Sequence, residues 1–411
     1  MQTQFRHHEG FDPLGDCGKA KCPVCARYNA IFKAKNILQK DEFTSEGVAP
    51  FVGRFGYPNI NVGILAPPQQ REDAWILDAP KFWSSQNFGV SQIVDFRSSL
   101  LNSRCNLNIK KRAKLLEISQ DIAMSSKPID VEIQLMEKPK FQLNIDPQMA
   151  PTGANAKLKK AVITENPKIH TKMYKVFEDT DLKATNAIRY LYESRFDENF
   201  LSRILSVGTV GLKKNRKLVP TRWSITATDD IIGKGLIDKI KEYPEISSYC
   251  SFFADYLGNY YLILMFPEVW SYEIFEAYAP HDWNFNNPLR YTTDYEGYGA
   301  RKDYAYETIG GYYTVRLAVL EKLNEMKRQA SVLALRFITN EYTMPLGVWV
   351  TRQAARKSVG NKPIEFSSRE LMIGYVRLLI KKKFNCNADC LLNASRLLRN
   401  AKQQTKLAKF M

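Results

Sequence analysis

The best apolar run of this sequence is YYLILMF, at Tyr260–Phe266. It is far shorter than the roughly 20 apolar residues that a membrane-spanning helix needs. Its length is typical of a buried strand, and we expect one here. The first residues, MQTQFRHHEG, have no apolar stretch of the kind that a secretory signal contains. We therefore expect a cytoplasmic protein.

Helical and strand-like patterns are mixed along the chain. Lys114–Met124 and Asp181–Tyr192 are predicted to be helices, and Ser331–Ile338 is predicted to be a strand of β-branched and apolar residues. Ser206–Asp230 combines strand signals with a basic loop, and Gly347–Ser358 is expected to begin as a strand and continue as a helix. Together these patterns predict a mixed fold, α/β or α+β.

The chain is expected to end in amphipathic helices, at Ser367–Phe384 and Ala388–Ala401. Its 411 residues are too many for one typical core, so two domains are expected. We place their boundary in the polar and aromatic segment Trp283–Tyr304. The predicted division is a Cys/His-rich arm at residues 1–29, a large domain at 30–285, a smaller α/β domain at 286–402 and a tail at 403–411.

The chain has an excess of basic residues, with 59 Lys and Arg against 43 Asp and Glu and a net charge of +16. Such an excess indicates a polyanionic partner, and DNA is the first candidate because phosphates release counterions when Lys and Arg bind them. The alternative is a basic protein with a generally charged surface. Seven cysteines do not suggest a disulfide scaffold in a chain of this length, so we expect reduced thiols.

The sequence ends in QTKLAKFM. This fits the peptide pattern that binds a sliding clamp (a PIP-like peptide). One turn of 3₁₀ helix would bring Leu407, Phe410 and Met411 together as an apolar plug, and the Gln404 amide suits a separate polar pocket. Met411 stands where a second aromatic residue is usual, and its flexible side chain would fill the pocket with a weaker contact. The alternative is the frayed end of the preceding helix.

Three cysteines lie near the N-terminus, where Cys22 and Cys25 form a C-x-x-C knuckle. Tetrahedral zinc needs four nitrogen or sulfur ligands, and such a knuckle supplies two of them. Cys17 would be the third ligand and His7 or His8 the fourth. Four protein ligands leave no position for water, so the predicted zinc is structural. The alternative is a flexible arm with free thiols.

The segment RKLVPTRWSITATDD brings basic, aromatic and acidic residues close together in sequence. Arginine can grip a phosphate with two hydrogen bonds, tryptophan can stack on a base, and paired acids can hold a divalent metal. The alternative is an ion-pair network with Trp223 in the core. Two arginines from other segments, Arg54 and Arg97, are added to this set. The candidate nucleic-acid or functional residues are then Arg54, Arg97, Arg222, Trp223, Asp229 and Asp230.

The stretch Pro50–Pro68 is punctuated by glycine and proline, which predicts short strands and tight turns. Gly53, Gly56 and Gly63 would let the backbone approach another surface closely. The stretch has no G-x-G-x-x-G pattern, so it is not a nucleotide-binding fingerprint.

Several sequence segments, spread in order along most of the chain, resemble those of a known protein family. The most specific is LVPTRWSITATDD at Leu218–Asp230. The others are FVGRFGYPNINVG at Phe51–Gly63 with Pro67-Pro68, IVDFRSSL at Ile93–Leu100, ENPKI at Glu165–Ile169, DTDLKA at Asp179–Ala184, DYEGYGARKDYAYETIGGYYTVRLAVLE at Asp294–Glu321 and PLGVWVTRQAAR at Pro345–Arg356. With these blocks the chain resembles the archaeal Nre family of DNA-repair proteins.

The resemblance implies a large N-terminal and a smaller C-terminal region, a role in the DNA-damage response and clamp binding through the C-terminal peptide. It also implies an N-terminal zinc motif of four cysteines. Cys17 and Cys22 match the second pair of that motif, whereas the first C-x-x-C is absent. His7, His8 and Cys25 are the candidate substitutes. No catalytic residues carry over from the family.

We therefore expect a DNA-repair factor that is associated with the nucleoid and recruited to the sliding clamp (PCNA). Its zinc-knuckle-like arm would hold a structural zinc, and its basic surface would contact DNA. The alternative is a metal-dependent nuclease or nucleotide-processing enzyme centred on Arg222, Asp229 and Asp230.

Overall fold

The structure, a computed structural model, describes residues 22–38, 41–111, 113–139, 151–279, 289–308 and 310–403. These residues form two compact units. Unit one runs to Ile231 and takes in Met344–Gly347, and unit two comprises Ile232–Thr343 and the residues from Val348 onwards. The boundary predicted at residues 285 and 286 lies inside unit two, and the predicted domain ranges stay a prediction.

Unit one is built on a sheet that has the strand order β1-β5-β6-β4-β3-β2 in the described part of the chain. Neighbouring strands are antiparallel except for β4 and β6, which are parallel. The strands are β1 Glu42–Gly47, β2 Ala49–Val52, β3 Asn59–Ala66, β4 Leu101–Asn108, β5 Ile129–Leu135 and β6 Asn155–Ile163.

Several helices of unit one bury an apolar face, and the helix α4, Lys114–Met124, is an example. In α4, Leu115, Ile118 and Ile122 recur at helical spacing and are buried. The Asp197 carboxylate caps helix α7, Glu198–Ser206, by accepting hydrogen bonds from the backbone N–H groups of Asn199 and Phe200 at 2.8 and 2.9 Å. The helices are α1 Pro23–Ile37, α2 Pro80–Ser85, α3 Val90–Ser98, α4 Lys114–Met124, α5 Thr171–Glu178, α6 Ala184–Glu193, α7 Glu198–Ser206 and α8 Thr221–Ile240, the last continuing into unit two.

Unit two has a second sheet, with the order β10-β9-β11-β8-β7-β12 among the described strands. Only β9 and β11 run parallel within it. Every residue of β8 is buried, which confirms the buried strand predicted at Tyr260–Phe266. The strands are β7 Tyr249–Tyr256, β8 Asn259–Phe266, β9 Ser271–Tyr278, β10 Tyr291–Glu296, β11 Ser331–Ile338 and β12 Ile364–Phe366.

Helices complete unit two, and α11 covers one face of β8. Leu262 and Leu264 share a core cluster with Met372, Val376 and Ile380 of this helix. Since side chains alternate along a strand, the buried residues Tyr261, Ile263 and Met265 of β8 face the opposite side of the sheet. The helices are α9 Tyr312–Met326, α10 Trp349–Gly360, α11 Arg369–Phe384, α12 Asp389–Ala394 and α13 Arg396–Gln403.

Buried ion pairs fix the segment before α9. Arg316 and Glu296 approach to 2.9 Å, and both side chains are fully buried. Arg301 and the nearly buried Asp294 approach to 2.7 Å, and Asp294 also accepts bonds from the Thr308 backbone and hydroxyl. Charges buried in this way need a partner, because an isolated charge is costly to remove from water.

The mixed α/β fold and the helical C-terminal end agree with the sequence patterns, and the helix at Lys114–Met124 and the strand at Ser331–Ile338 are confirmed. The strand and loop predicted at Ser206–Asp230 are wrong from Thr221 onwards, where α8 begins. The β-branched residues of TRWSITATDD suggest a strand, but tertiary contacts override this weak propensity. The strand predicted at Gly347 is also wrong, because α10 begins at Trp349.

Within the described residues, no helix combines the length and the apolar composition needed to cross a membrane.

Candidate functional site

The first turn of α8 is held beside the end of β2. The Thr221 hydroxyl accepts a hydrogen bond of 3.0 Å from the Val52 backbone N–H. The backbone N–H groups of Trp223 and Ser224 donate to the Pro220 carbonyl at 2.8 and 3.0 Å, which starts the helix. Arg222 and Trp223 are therefore presented on an anchored helix end, and both are exposed.

The turn between β2 and β3 is tight and lies next to this helix end. The Gly53 N–H bonds to the Asn61 carbonyl at 2.7 Å, and the Asn59 N–H bonds to the Gly56 carbonyl at 2.8 Å. Gly56 has a φ of +82°, and a Cβ there would lie 2.7 Å from the Asn59 carbonyl oxygen. Only glycine fits such a position without strain. The strands and tight turn predicted for this stretch are confirmed.

Three exposed aromatic residues lie on this turn and on the adjoining helix end, and we call them the aromatic cluster: Phe55, Tyr57 and Trp223, with 70%, 44% and 48% of their surfaces accessible. The rings of Tyr57 and Trp223 have centroids 5.6 Å apart and are inclined at 47°. The Arg54 guanidinium carbon lies 4.8 Å from the centre of the Phe55 ring. Trp223 is therefore not a core residue, and the alternative interpretation, which places it in the core, is wrong in this respect.

Basic segments adjoin the aromatic cluster. The Ile109 N–H bonds to the Pro58 carbonyl, and the Leu218 N–H bonds to the Ile109 carbonyl, each at 3.0 Å. Residues 53–59, 108–111 and 213–223 are thereby linked, and we call them the basic face. These three segments contain no Asp or Glu. Their exposed cations are Arg54, Lys110, Lys111, Lys213, Lys214, Lys217 and Arg222.

Arg216 lies in the basic face but is used for structure. Its guanidinium donates to the carbonyls of Gly211, Phe177 and Asp179, each at 2.8 Å. Burial lowers the pKa of this arginine, and the charges of Asp179 and Glu178 oppose that effect. These two carboxylates lie near Arg216, at the end of the basic face that contains Lys213.

The structure brings Arg54, Arg222 and Trp223 to one surface but gives Arg97 a different role. Arg97, on α3, forms an ion pair of 2.5 Å with Asp78. A guanidinium held this way already has a carboxylate partner in place of a phosphate.

The two aspartates of α8 do not form a compact site with Arg222. Asp229 is fully buried, Asp230 is half-buried, and Arg222 is exposed two helical turns earlier. Two turns of helix separate residues by about 10 Å along the axis, and consecutive residues do not face one another. Among the described residues, no three His, Cys, Asp or Glu side chains group as metal ligands would.

The described part of the predicted zinc arm is the start of α1. Cys22 is the residue before the helix, Cys25 lies in its first turn, and both are half-buried. Residues three apart at a helix start lie on the same side, so these two thiols fit a pair of zinc ligands. His7, His8 and Cys17 lie outside the described residues, as do Gln404, Leu407, Phe410 and Met411 of the predicted clamp-binding tail.

The sequence patterns did not single out Phe55 and Tyr57. A signal was present, because large aromatic residues are unusual in a turn that is set by glycine and proline. Turns lie at the surface, and exposed aromatic residues there are candidates for binding.

Comparison with known proteins gives consistent matches along the chain. A family model described as "Archaeal Nre, N-terminal" matches residues 17–284, and one described as "Archaeal Nre, C-terminal" matches residues 296–410. DNA repair protein NreB of Archaeoglobus fulgidus is 34% identical over 95% of this chain and 96% of its own length. DNA repair protein NreA of Haloferax volcanii is 36% identical over 75% of this chain and 76% of its own. No solved structure matches.

Proposed function

The chain belongs to the archaeal Nre family, and from that premise we propose that it is a DNA-repair factor of the DNA-damage response. In this proposal the sliding clamp (PCNA) recruits the protein through Gln404, Leu407, Phe410 and Met411. The basic face of unit one then contacts DNA. The observation that carries the DNA contact is this face, where exposed Lys and Arg are linked by backbone hydrogen bonds and the three segments contain no acid.

The segment QTKLAKFM supports recruitment because it has the residue spacing of a clamp-binding peptide. A short recognition peptide binds through a few anchors, and here those are an aliphatic residue, an aromatic residue and a methionine. The relatives that are similar over most of this chain are called DNA repair proteins, which agrees with a recruited repair factor.

The zinc arm is part of the same proposal. A structural zinc would be held by Cys22, Cys25, Cys17 and either His7 or His8. Four protein ligands give the metal no open position, so its contribution would be to folding.

The salt dependence of DNA affinity tests the contact through the basic face. Each phosphate that a Lys or Arg neutralises contributes about −0.9 to the slope of log affinity against log salt. We expect Lys110→Ala/Lys111→Ala to make this slope shallower by up to about 2 units. The matched control is Lys159→Ala/Lys160→Ala, an exposed adjacent pair on β6. Equal slopes for both double variants would mean that DNA does not contact this face.

A further inference from the structure

The exposed aromatic cluster stands on backbone that is held by hydrogen bonds. Phe55 and Tyr57 stand on a turn closed by two backbone hydrogen bonds, and Trp223 stands on the anchored first turn of α8. The cluster therefore pays little conformational entropy when it binds a ligand, because its backbone is already ordered.

The contact between the exposed rings of Tyr57 and Trp223 indicates a binding surface. Single exposed apolar residues are normal, whereas contiguous exposed apolar groups mark interaction sites. Tyr57 and Trp223 are inclined at 47°, so they are not stacked face to face. Phe55, at 70% exposure, has Arg54 beside it. Ring surface and a guanidinium plane are both accessible for stacking.

The charge of the surroundings selects the ligand. Arg222 is next to Trp223 in sequence, and Arg54 lies between Gly53 and Phe55 on the turn. Lys110 and Lys111 follow Ile109, whose backbone bonds to Pro58. A ligand that fits must combine flat apolar faces with repeated negative charges. A single-stranded nucleic acid has both, whereas the base faces of a duplex are covered by stacking on their neighbours.

We infer that Phe55, Tyr57 and Trp223 form a stacking platform for unpaired DNA bases, with Arg54, Arg222, Lys110 and Lys111 binding the flanking phosphates. This inference rests on the proposed DNA contact and specifies its substrate as single-stranded or locally unpaired DNA. Sequence preference is not required, because every base has a face on which an aromatic ring can stack.

The test measures fluorescence anisotropy of the full chain with a labelled 12-nucleotide oligothymidine, an abasic strand of equal length and a 12-base-pair duplex. We expect oligothymidine to bind most tightly. Trp223→Ala and Tyr57→Ala should each weaken this binding by about 5- to 150-fold, the range for losing one stacked base. Trp223→Phe should retain most of it. The affinity for the abasic strand should not change in these variants, because the Lys and Arg residues that bind its phosphates remain.

Matched controls exist in unit one. Trp75 is 46% exposed against 48% for Trp223, and Tyr190 is 43% exposed against 44% for Tyr57. Trp75→Ala and Tyr190→Ala should bind oligothymidine as the unaltered chain does. Folding of each variant is checked by urea denaturation.

The other outcomes are informative. If the protein binds the single strand and the duplex with equal affinity, and Trp223→Ala leaves both affinities unchanged, the stacking platform is overturned. The proposed DNA contact then remains intact. Absence of salt-sensitive binding to all three DNAs would overturn both, and the aromatic cluster would then be a protein-docking surface.

Discussion

Arg316 lies in the interior of unit two, where a charge is tolerated only because of its partner. Its guanidinium contacts Glu296 at 2.9 Å, and both side chains are fully buried. The rings of Tyr312 and Tyr313 lie 5.5 and 5.2 Å from the guanidinium carbon. The pair therefore belongs to the core that supports α9.

Replacing Arg316 by methionine should destabilise the protein. The change leaves the Glu296 carboxylate buried without its cation, which costs roughly 3–5 kcal/mol in buried pairs. The measurement is the free energy of unfolding from urea denaturation. The control is Arg377→Met, whose ion pair with Asp389 is about half exposed and should contribute at most about 1 kcal/mol. Similar losses for both variants would contradict the role given to the buried pair.

Helix α11 offers a test of backbone conformation. Gly374 lies inside this helix, and a Cβ there would meet no atom within 4 Å. Gly374→Ala should therefore raise the free energy of unfolding by about 0.5–1 kcal/mol, since alanine loses less entropy in a helix. Gly208→Ala should do the reverse, because Gly208 has a φ of +69° and its Cβ would lie 2.6 Å from the Lys217 carbonyl oxygen. Urea denaturation of both variants decides, and a destabilising Gly374→Ala would contradict the account of α11.

The start of α1 is where the zinc proposal is tested. Cys22→Ser/Cys25→Ser should reduce bound zinc from about one ion per chain to near zero, because the knuckle supplies two of four ligands. The metal content is measured by mass spectrometry after purification without chelators. Cys105→Ser, at a half-buried cysteine of β4, is the control and should keep its zinc. Zinc that is equally low in all three proteins would show that the arm does not hold it.

The elements that follow from the sequence are those whose signal is local. The buried strand β8 and the helix α4 are set by their own apolar patterns, and both were predicted. The exposed position of Trp223 does not follow from the sequence, because it depends on the contact between α8 and the turn that joins β2 and β3. The hydrogen bond between Val52 and Thr221 joins residues 169 apart in sequence. No pattern within one segment indicates such a contact. The sequence therefore marks Arg54 and Trp223 as candidate residues, but it does not place them on one surface.

At the scale of the molecule, the proposed recruitment and the proposed DNA contact fall to different parts of the chain. The predicted clamp-binding peptide follows α13, and the basic face belongs to unit one. Two weak contacts to the same clamp-loaded DNA reinforce one another, since the second binding event takes place at a high effective concentration. In the proposed function, a tail with Met411 in place of an aromatic residue would therefore be sufficient, because the DNA contact would add to the clamp contact.

The most direct test of this account is calorimetric titration of the full chain against the sliding clamp of its own organism, beside a chain that ends at Gln403. Phe410→Ala and Thr405→Ala accompany them, because Phe410 is an anchor of the peptide and Thr405 lies at a spacer position. We expect the full chain and Thr405→Ala to bind, and we expect truncation and Phe410→Ala to abolish binding or weaken it at least about tenfold. Binding that survives truncation, or no binding by the full chain, would contradict recruitment through the tail.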